Sequence, residues 1–304
     1  MRLVTPLLQR MPPALRHAVI RRSFTISERS IRSLRVHVAS TPEEHEQAAR
    51  LLHRVYERRG IAEQHLSGLR VLPQHLAPST ITFVACDQAR PGAPVIGTVS
   101  LVRDSPLGLP MDAIYRDELQ PLRDQGRQLA ECGALCLDRG YRGTGVMYLL
   151  CRIMSDHAIA TRCDDVVITV HPAAADYYHA NMVFEPLGPV RSYPGLRSTA
   201  LALALRLDLG TFLEVCARRF GSRALDDANP LWLWFGRRNP QIAPFDRSEA
   251  GLGRHLQVRR RAARHLATLR PDVLHTLEPQ GAAYLASVVP ELSGLLGPHA
   301  PSRG

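Results

Sequence analysis

Leu129-Ala-Glu131-Cys-Gly-Ala-Leu-Cys-Leu137, followed by Asp138-Arg-Gly-Tyr-Arg142-Gly-Thr-Gly145-Val-Met147, is the stretch on which the fold turns. Its first part is apolar almost throughout and carries a single acid, Glu131, as expected of a strand buried on both faces. A polar turn then leads into two glycines that open a helix over 144–162. Val146, Leu149, Leu150, Ile153 and Met154 recur there at helical spacing. The β-branched run Val166-Val-Ile-Thr-Val170 follows as another buried strand. Strand, glycine turn, helix and strand in that order make an α/β unit.

The same pattern extends outward. Arg35 to Ala39 alternates as a first strand, and Thr41-Pro-Glu-Glu opens a helix with an N-cap, a first-turn proline and early acids. That helix runs to about Arg59-Gly60 and buries Ala48, Leu51, Leu52 and Val55. Ile81–Cys86 and Pro94–Val102 form a hairpin pair, and a helix spans Met111–Gln125. After Val170 come a helix over Pro172–Met182 and a last strand over Thr199–Leu205. These elements predict one α/β domain with a mixed sheet over 36–208. A basic N-terminal arm (1–35) precedes it and a helical C-terminal extension (209–304) follows.

The chain has 304 residues and a net charge of +10, and all 38 of its basic residues are arginine. Without lysine there is no Schiff base, no anchored pyridoxal phosphate and no phosphate-loop lysine. The six cysteines make no Cys-x-x-Cys pair and no zinc spacing, so free thiols and no metal are expected. No apolar run is long enough to span a bilayer. Charge is uneven: residues 1–35 hold eight arginines against one acid, and 207–304 hold thirteen against nine. The middle, with 17 against 18, is nearly neutral. Solvated ends account for this, as does a surface for an acidic partner or an anionic membrane. Arg254, Arg259, Arg260, Arg261, Arg264 and Arg270 alternate with apolar residues, a pattern suited to a helix lying on a membrane or a protein face. With 6% aromatics and no nucleic-acid motif, no nucleic-acid partner is expected.

Three features carry chemistry. Arg142, Gly143, Thr144, Gly145 and Val146 place a flexible, positively flanked turn at a helix N-terminus, where unpaired N–H groups bind phosphate. An ordinary strand-to-helix turn reads the same way. Glu131 is either a solvent-facing strand acid or a buried carboxyl with a raised pKa, able to take a proton from an ammonium group. In His171-Pro-Ala-Ala-Ala-Asp-Tyr177-Tyr178-His-Ala-Asn-Met-Val-Phe184, Tyr178 either packs or donates a proton to a leaving thiolate.

Together these resemble the GCN5-related N-acetyltransferase fold. The Arg142–Val146 turn looks like its pyrophosphate loop, and 171–184 is similar to its Asn-Pro-…-Phe-Tyr-…-Gly-Phe stretch. More narrowly, Asp104-Ser-Pro-Leu-Gly-Leu-Pro-Met-Asp112, the helix after it, and 129–137 resemble the long-chain N-acyl amino acid synthases. These are bacterial relatives of the acyl-homoserine lactone synthases. The resemblance covers about 36–206.

It implies a mixed, mostly antiparallel central sheet and an acyl-phosphopantetheine donor, on acyl carrier protein or CoA, with no tightly bound cofactor. The acceptor is an amino acid such as tyrosine. Glu131 would be the general base and Tyr178 the general acid, and backbone N–H groups near Cys136 and Leu137 would hold the thioester. Arg142 to Val146 would bind phosphate, and Arg103, with Ser105 and Tyr115 nearby, would meet the acceptor. Such a lipid-biosynthetic enzyme would be cytoplasmic, with peripheral contact at the inner membrane face.

The sequence departs from the pattern at Met147, His171 and Val183, and Gly133-Ala134 argue against S-adenosylmethionine as acceptor. Trp232-Leu-Trp234-Phe235 suits a helical core, a cap on an acyl tunnel or a membrane anchor. Two rival readings are an acetyl-CoA-dependent N-acetyltransferase and a non-catalytic protein that binds acyl chains or an acidic partner.

Overall fold

A computed structural model describes residues 10–22, 28–61, 65–193, 201–220 and 239–296. The Trp232–Phe235 segment lies outside them. The central sheet has the order β1-β2-β3-β4-β5-β8-β6, with β7 also paired to β8. Its strands are β1 (Leu34–Val38), β2 (Ile81–Asp87), β3 (Val95–Arg103), β4 (Leu129–Leu137), β5 (Asp165–Val170), β6 (Glu185–Pro186), β7 (Arg191–Ser192) and β8 (Leu201–Asp208). Every pairing is antiparallel except β4 with β5. The expected mixed, mostly antiparallel sheet is therefore present.

That one parallel pairing is short. β4 and β5 bond only over Leu129–Glu131 and Asp165–Val167, and beyond Glu131 the two strands part. On the other side of β4 the register with β3 slips. Cys136 faces Thr98 and Gly133 faces Ser100, so Ala134 and Leu135 together oppose Val99. This is a β-bulge, and Ala134 takes the left-handed φ of +52° within it. Strand divergence and bulge thus fall in the same few residues.

Helices cover both faces. On one, α1 (Pro13–Arg22), α5 (Val146–Ala160) and α6 (Ala175–Met182) pack Ile20, Leu149, Leu150, Ile153, Ala180 and Met182 against Phe83, Leu101, Ala130 and Val166. Helix α5 comes close because Gly97 lies beneath it; a Cβ there would meet Leu137 at 2.6 Å and Leu150 at 3.1 Å. On the other face, α3 (Pro42–Arg58) lays Ala48, Leu51, Leu52 and Val55 on Val84, Val95 and Cys136. Helix α4 (Asp112–Asp124) lays Tyr115, Leu119 and Leu122 on Val102, Leu129 and Val167. The start of α3 is as its sequence predicts: the Thr41 hydroxyl accepts the Glu44 N–H (3.2 Å) and Pro42 sits in the first turn.

Four elements differ from expectation. Residues 1–35 are not simply an arm, since Pro13–Arg22 and a short α2 (Glu28–Ile31) are helical. Arg16 and His17 of α1 bond Asp176 of α6, at 3.0 and 3.4 Å. Helix α4 is broken at Tyr115 (φ −132°, ψ 27°) and carries Pro121 within it. The last strand is shifted to Leu201–Asp208, and the segment after Val170 begins as a 3-10 turn before α6.

The C-terminal segment returns to the sheet. Gln241 and Ala243 exchange backbone hydrogen bonds with Val36, covering the outer edge of β1. Helix α7 (Phe212–Phe220) follows β8. Helices α8 (Glu249–Leu269), α9 (Asp272–His275), α10 (Pro279–Val288) and α11 (Ser293–Leu296) end the described chain. The apolar face of α8, with Ala263, Leu266 and Ala267, packs with Leu69, Val71 and Leu76. Of the two surfaces its pattern suited, a protein face is the one it occupies. No described helix is long and apolar enough to cross a membrane.

Candidate active site

Strand β4 supplies the centre. Side chains alternate along a strand, so Glu131 and its neighbour Cys132 point to opposite faces of the sheet. Glu131 shares the α3/α4 face with Leu129; Cys132 lies on the α5/α6 face. The glutamate is 4% exposed. One of its carboxyl oxygens accepts the Met111 backbone N–H at 2.8 Å. Burial pushes its pKa up to about 8; the Met111 bond works against this, and the nearby negative charge of Asp112 adds to it. Of the two readings open from sequence, the structure selects the buried carboxyl.

The loop that delivers Met111 is fixed by charge. Arg123 grips Asp104 (2.6 and 3.1 Å) and Asp112 (2.7 Å twice), and Asp112 also accepts the Leu109 N–H at 2.6 Å. Such a bidentate grip holds the 104–112 loop against the start of α4.

The donor end lies where α5 begins. Gly143 and Gly145 take φ of +80° and +99°, conformations that L side chains adopt only with strain. No side chain caps α5 and no acid stands in its first turn, so its leading N–H groups face outward unclaimed by a cap. Thr144 turns its hydroxyl back to the Tyr141 carbonyl (2.7 Å), and Arg142 is exposed beside the turn. Arg59, Arg54 and Arg142 all place positive field on Cys136. Residues 142–146 and Cys136–Leu137 therefore gather at one end of β4, past the point where it leaves β5.

Tyr178 sits on the α5/α6 side, half-buried, with edge contacts to Tyr177 (5.5 Å) and Phe184 (6.0 Å). Burial raises its pKa, so it remains a phenol and keeps a proton to give. The fields of Cys151 and Cys132 reach it, which puts it beside the β4 divergence. His171, where the resemblance has asparagine, accepts the Ala173 N–H at 3.2 Å as a cap. Val183 sits in the left-handed region (φ +53°) that a glycine would occupy freely. Glu131 and Tyr178 thus stand on opposite faces of the sheet, with the strand gap between them.

Two substrate-contact expectations are corrected. Arg103 pairs across the sheet with Ala130, not Glu131, and points to the α5 face. There it bonds the Thr161 carbonyl (2.9 Å) and Cys163 (2.8 Å). Tyr115 is wholly buried, its hydroxyl lying 2.8 Å from the carbonyls of Pro189 and Ala202, so it anchors α4 to β8. Ser105 lies on the 104–112 loop, where its oxygen accepts the Leu107 N–H (3.3 Å). It lines an open depression of about 620 Å³ with Arg103, Arg116 and Arg123.

The sequence missed Tyr56, Arg70 and Tyr193. Arg70 lies over the Tyr56 ring (4.8 Å), Tyr56 packs against the α3-face cluster that includes Cys136 of β4, and Tyr193 bonds the Pro110 carbonyl (3.0 Å), next to the Met111 N–H that holds Glu131. Nothing in the sequence singles out Arg70 among 38 arginines. Cysteine nucleophiles are unsuited to this chemistry, because burial pushes Cys132 and Cys136 up to about 12 and leaves them un-ionised. Among the described residues one group has metal-ligand types, His37, Glu44 and Cys86, within 4.8 Å of one another. Its Glu44 is occupied by His37 and by Ser40 at the start of α3.

No curated protein sequence matches the chain significantly. The solved structure of FeeM, an N-acyl amino acid synthase from uncultured soil microbes, superposes with a TM-score of 0.52 at 25% identity. The match covers 60% of this chain and 93% of FeeM. BjaI, a CoA-dependent acyl-homoserine lactone synthase solved with SAM and isopentyl-CoA, gives 0.46 at 15% identity, covering 73% and 98%. Arabidopsis thaliana NAA60 with acetyl-CoA gives 0.42 at 14%, covering 58% and 99%. The sequence profile of the N-acyl amino acid synthase FeeM family matches residues 47–208, more than half of the chain. This protein accordingly belongs to the FeeM family of N-acyl amino acid synthases, has their acetyltransferase-like fold and is an acyltransferase.

Proposed function

We propose that this enzyme moves a long-chain acyl group from the phosphopantetheine thioester of an acyl carrier protein to the α-amino group of an amino acid. The observation that carries the reading is Glu131: a buried carboxyl with its pKa raised toward neutrality, at the residue where β4 and β5 part. The thioester enters the strand gap from the α5/α6 side. Its phosphate meets the uncapped N-terminus of α5, with Arg142, Gly143, Thr144, Gly145 and Val146 around it. Backbone N–H groups near Cys136 and Leu137 hold the thioester oxygen as it becomes an oxyanion.

The amino acid enters from the α3 face. Glu131 takes one proton from the ammonium group, directly or through a water, and the freed amine attacks the carbonyl carbon. The tetrahedral intermediate collapses, the C–S bond breaks, Tyr178 gives its proton to the departing thiolate, and the nitrogen's second proton passes through water to the tyrosinate, restoring the phenol, while Glu131 releases the first to solvent. An amide and a free pantetheine thiol result, with no covalent enzyme intermediate.

A carrier-protein donor is supported by charge and by Met147. Acyl carrier proteins are acidic, and Arg54, Arg59 and Arg142 form an exposed positive rim at this mouth. Met147 is bulkier than the small residue of a pyrophosphate loop, and a carrier-bound pantetheine brings one phosphate and no pyrophosphate. Location in the cytoplasm, with peripheral contact at the inner membrane face, suits a lipid product and the arginine-rich surface. The test is competition between dodecanoyl-carrier protein and dodecanoyl-CoA over a panel of amino acids. Preference for the carrier protein is expected; tighter use of the CoA ester would refute that donor.

A further inference from the structure

With Arg103 on the far face of the sheet, no residue has yet been given to the acceptor's carboxylate. We propose that Arg70 binds the α-carboxylate of the acceptor, in a subsite shared with Tyr56 and Tyr193 beside Glu131. This rests on the function proposed above and names the residue that would distinguish an α-amino acid from the matching amine.

Arg70 is half-buried, and its guanidinium carbon lies 4.8 Å from the centre of the Tyr56 ring. Among the described residues no carboxylate forms an ion pair with it. Arg123, Arg127, Arg191, Arg206 and Arg270 are all paired with acids. A guanidinium held over a tyrosine ring without a carboxylate partner still has N–H groups to give, and these match a carboxylate with two parallel hydrogen bonds.

The position relative to Glu131 follows from the two tyrosines. Both feel the charge of Glu131 and of Arg70. Tyr193 gives its hydroxyl proton to the Pro110 carbonyl at 3.0 Å, one residue before Met111, whose N–H holds Glu131. Tyr56 packs against the cluster that includes Cys136, on the face of β4 that also carries Glu131, so the cation and the base lie along one face of that strand. In an α-amino acid the nitrogen and the carboxylate share one carbon. A substrate whose ammonium faces Glu131 then has its carboxylate a few ångströms further on.

The loop carrying Arg70 is held rather than free. The Arg70 N–H bonds the Ala49 carbonyl of α3 (3.2 Å), and Arg50 bonds the Ser67 carbonyl (3.1 Å). Arg270, at the end of α8, bonds the Leu69 carbonyl. The C-terminal helices thereby position the acceptor subsite, a role the sequence left open. Holding the cation in place before the substrate arrives lowers the ordering cost of binding.

The experiment compares wild type, Arg70→Gln and Arg70→Lys, with dodecanoyl-carrier protein and dodecanoyl-CoA each supplied as donor. Acceptors are tyrosine against tyramine and leucine against isoamylamine. The readout is the kcat/KM ratio of amino acid to matched amine. Wild type should favour the amino acids. Arg70→Gln should lower that ratio roughly 10- to 100-fold, mainly through KM, as loss of a charged hydrogen-bond pair implies. Arg70→Lys should retain an intermediate ratio and decides the matter if the glutamine variant does not fold. Equal loss toward amine and amino acid would mean that Arg70 only braces Tyr56, and would overturn the proposal. So would a wild type that accepts amines as readily. A folded wild type that acylates none of the four acceptors from either donor is a separate result and removes the proposed function itself.

Discussion

Replacing Glu131 by glutamine removes the base while keeping the shape, since the amide oxygen can still accept the Met111 N–H. Removing a general base costs about 10²–10⁴ in rate. The structure adds a pH signature. With its pKa held near 8, only about a tenth of Glu131 is ionised at pH 7 and about a hundredth at pH 6. The wild-type kcat/KM should therefore climb about tenfold per pH unit between 6 and 7.5 and level off above 8. The variant should lack that limb. Stability should move the opposite way. A carboxyl raised from 4.5 to about 8 binds a proton in the fold that the unfolded chain has released, so the wild type loses stability as pH rises across that interval. Glu131→Gln should then melt higher than wild type at pH 8 and no higher at pH 4. Stopped-time product assays over pH 5.5–9.5, with melts at both ends, are sufficient. A flat wild-type profile, or a variant within threefold of wild type at pH 8, refutes the assignment of the base.

Other consequences follow from the same contacts. Gly145→Ala forces a side chain into φ +99° and should cost about 1–2 kcal/mol in thermal melts. It should also raise the donor KM more than it lowers kcat, whereas unchanged donor KM would separate this turn from phosphate binding. Arg123→Met leaves Asp104 and Asp112 unmatched and should destabilise by about 2–4 kcal/mol. With Asp112 no longer neutralised, the rising limb of the pH profile should shift to higher pH. Asp165, wholly buried between Arg127 and Arg206, ties β5 to β8; Asp165→Asn should cost about 3 kcal/mol in denaturant titrations. Tyr178→Phe should slow turnover of a thioester more than that of an activated oxygen ester, whose leaving group needs less protonation.

Much of this was legible in the sequence because it is local. Apolar runs marked β2, β3, β4 and β5, and the Thr41-Pro42 start marked α3. Gly143 and Gly145 marked the turn that opens α5, where the backbone takes positive φ. Glu131 stood out as the one acid in an apolar strand. What was hidden depends on chain returning from far away. The α1 contact with α6 needs Arg16 to find Asp176, 160 residues on. The edge cover at Val36 needs Gln241 and Ala243. The direction of Arg103 depended on strand register: one residue's slip would have put it beside Glu131, and the pairing with Ala130 puts it on the other face. Tyr115 was expected near the acceptor, but it lies wholly in the core with Leu119 and Leu122 of α4. The bond that holds Glu131 comes from a main-chain N–H, which no side-chain pattern can reveal.

The central claim is that this acyltransferase makes long-chain N-acyl amino acids with Glu131 as its base. Lipid mass spectrometry of a bacterial host expressing the wild type, beside one expressing Glu131→Ala, tests it most directly. The account predicts new N-acyl amino acids with the wild type alone, their masses giving both acceptor and chain length. Equal amounts of product from both proteins would contradict the role of Glu131. A folded wild type that leaves the extract unchanged and takes no acyl group from a carrier-protein or CoA thioester would contradict the reaction.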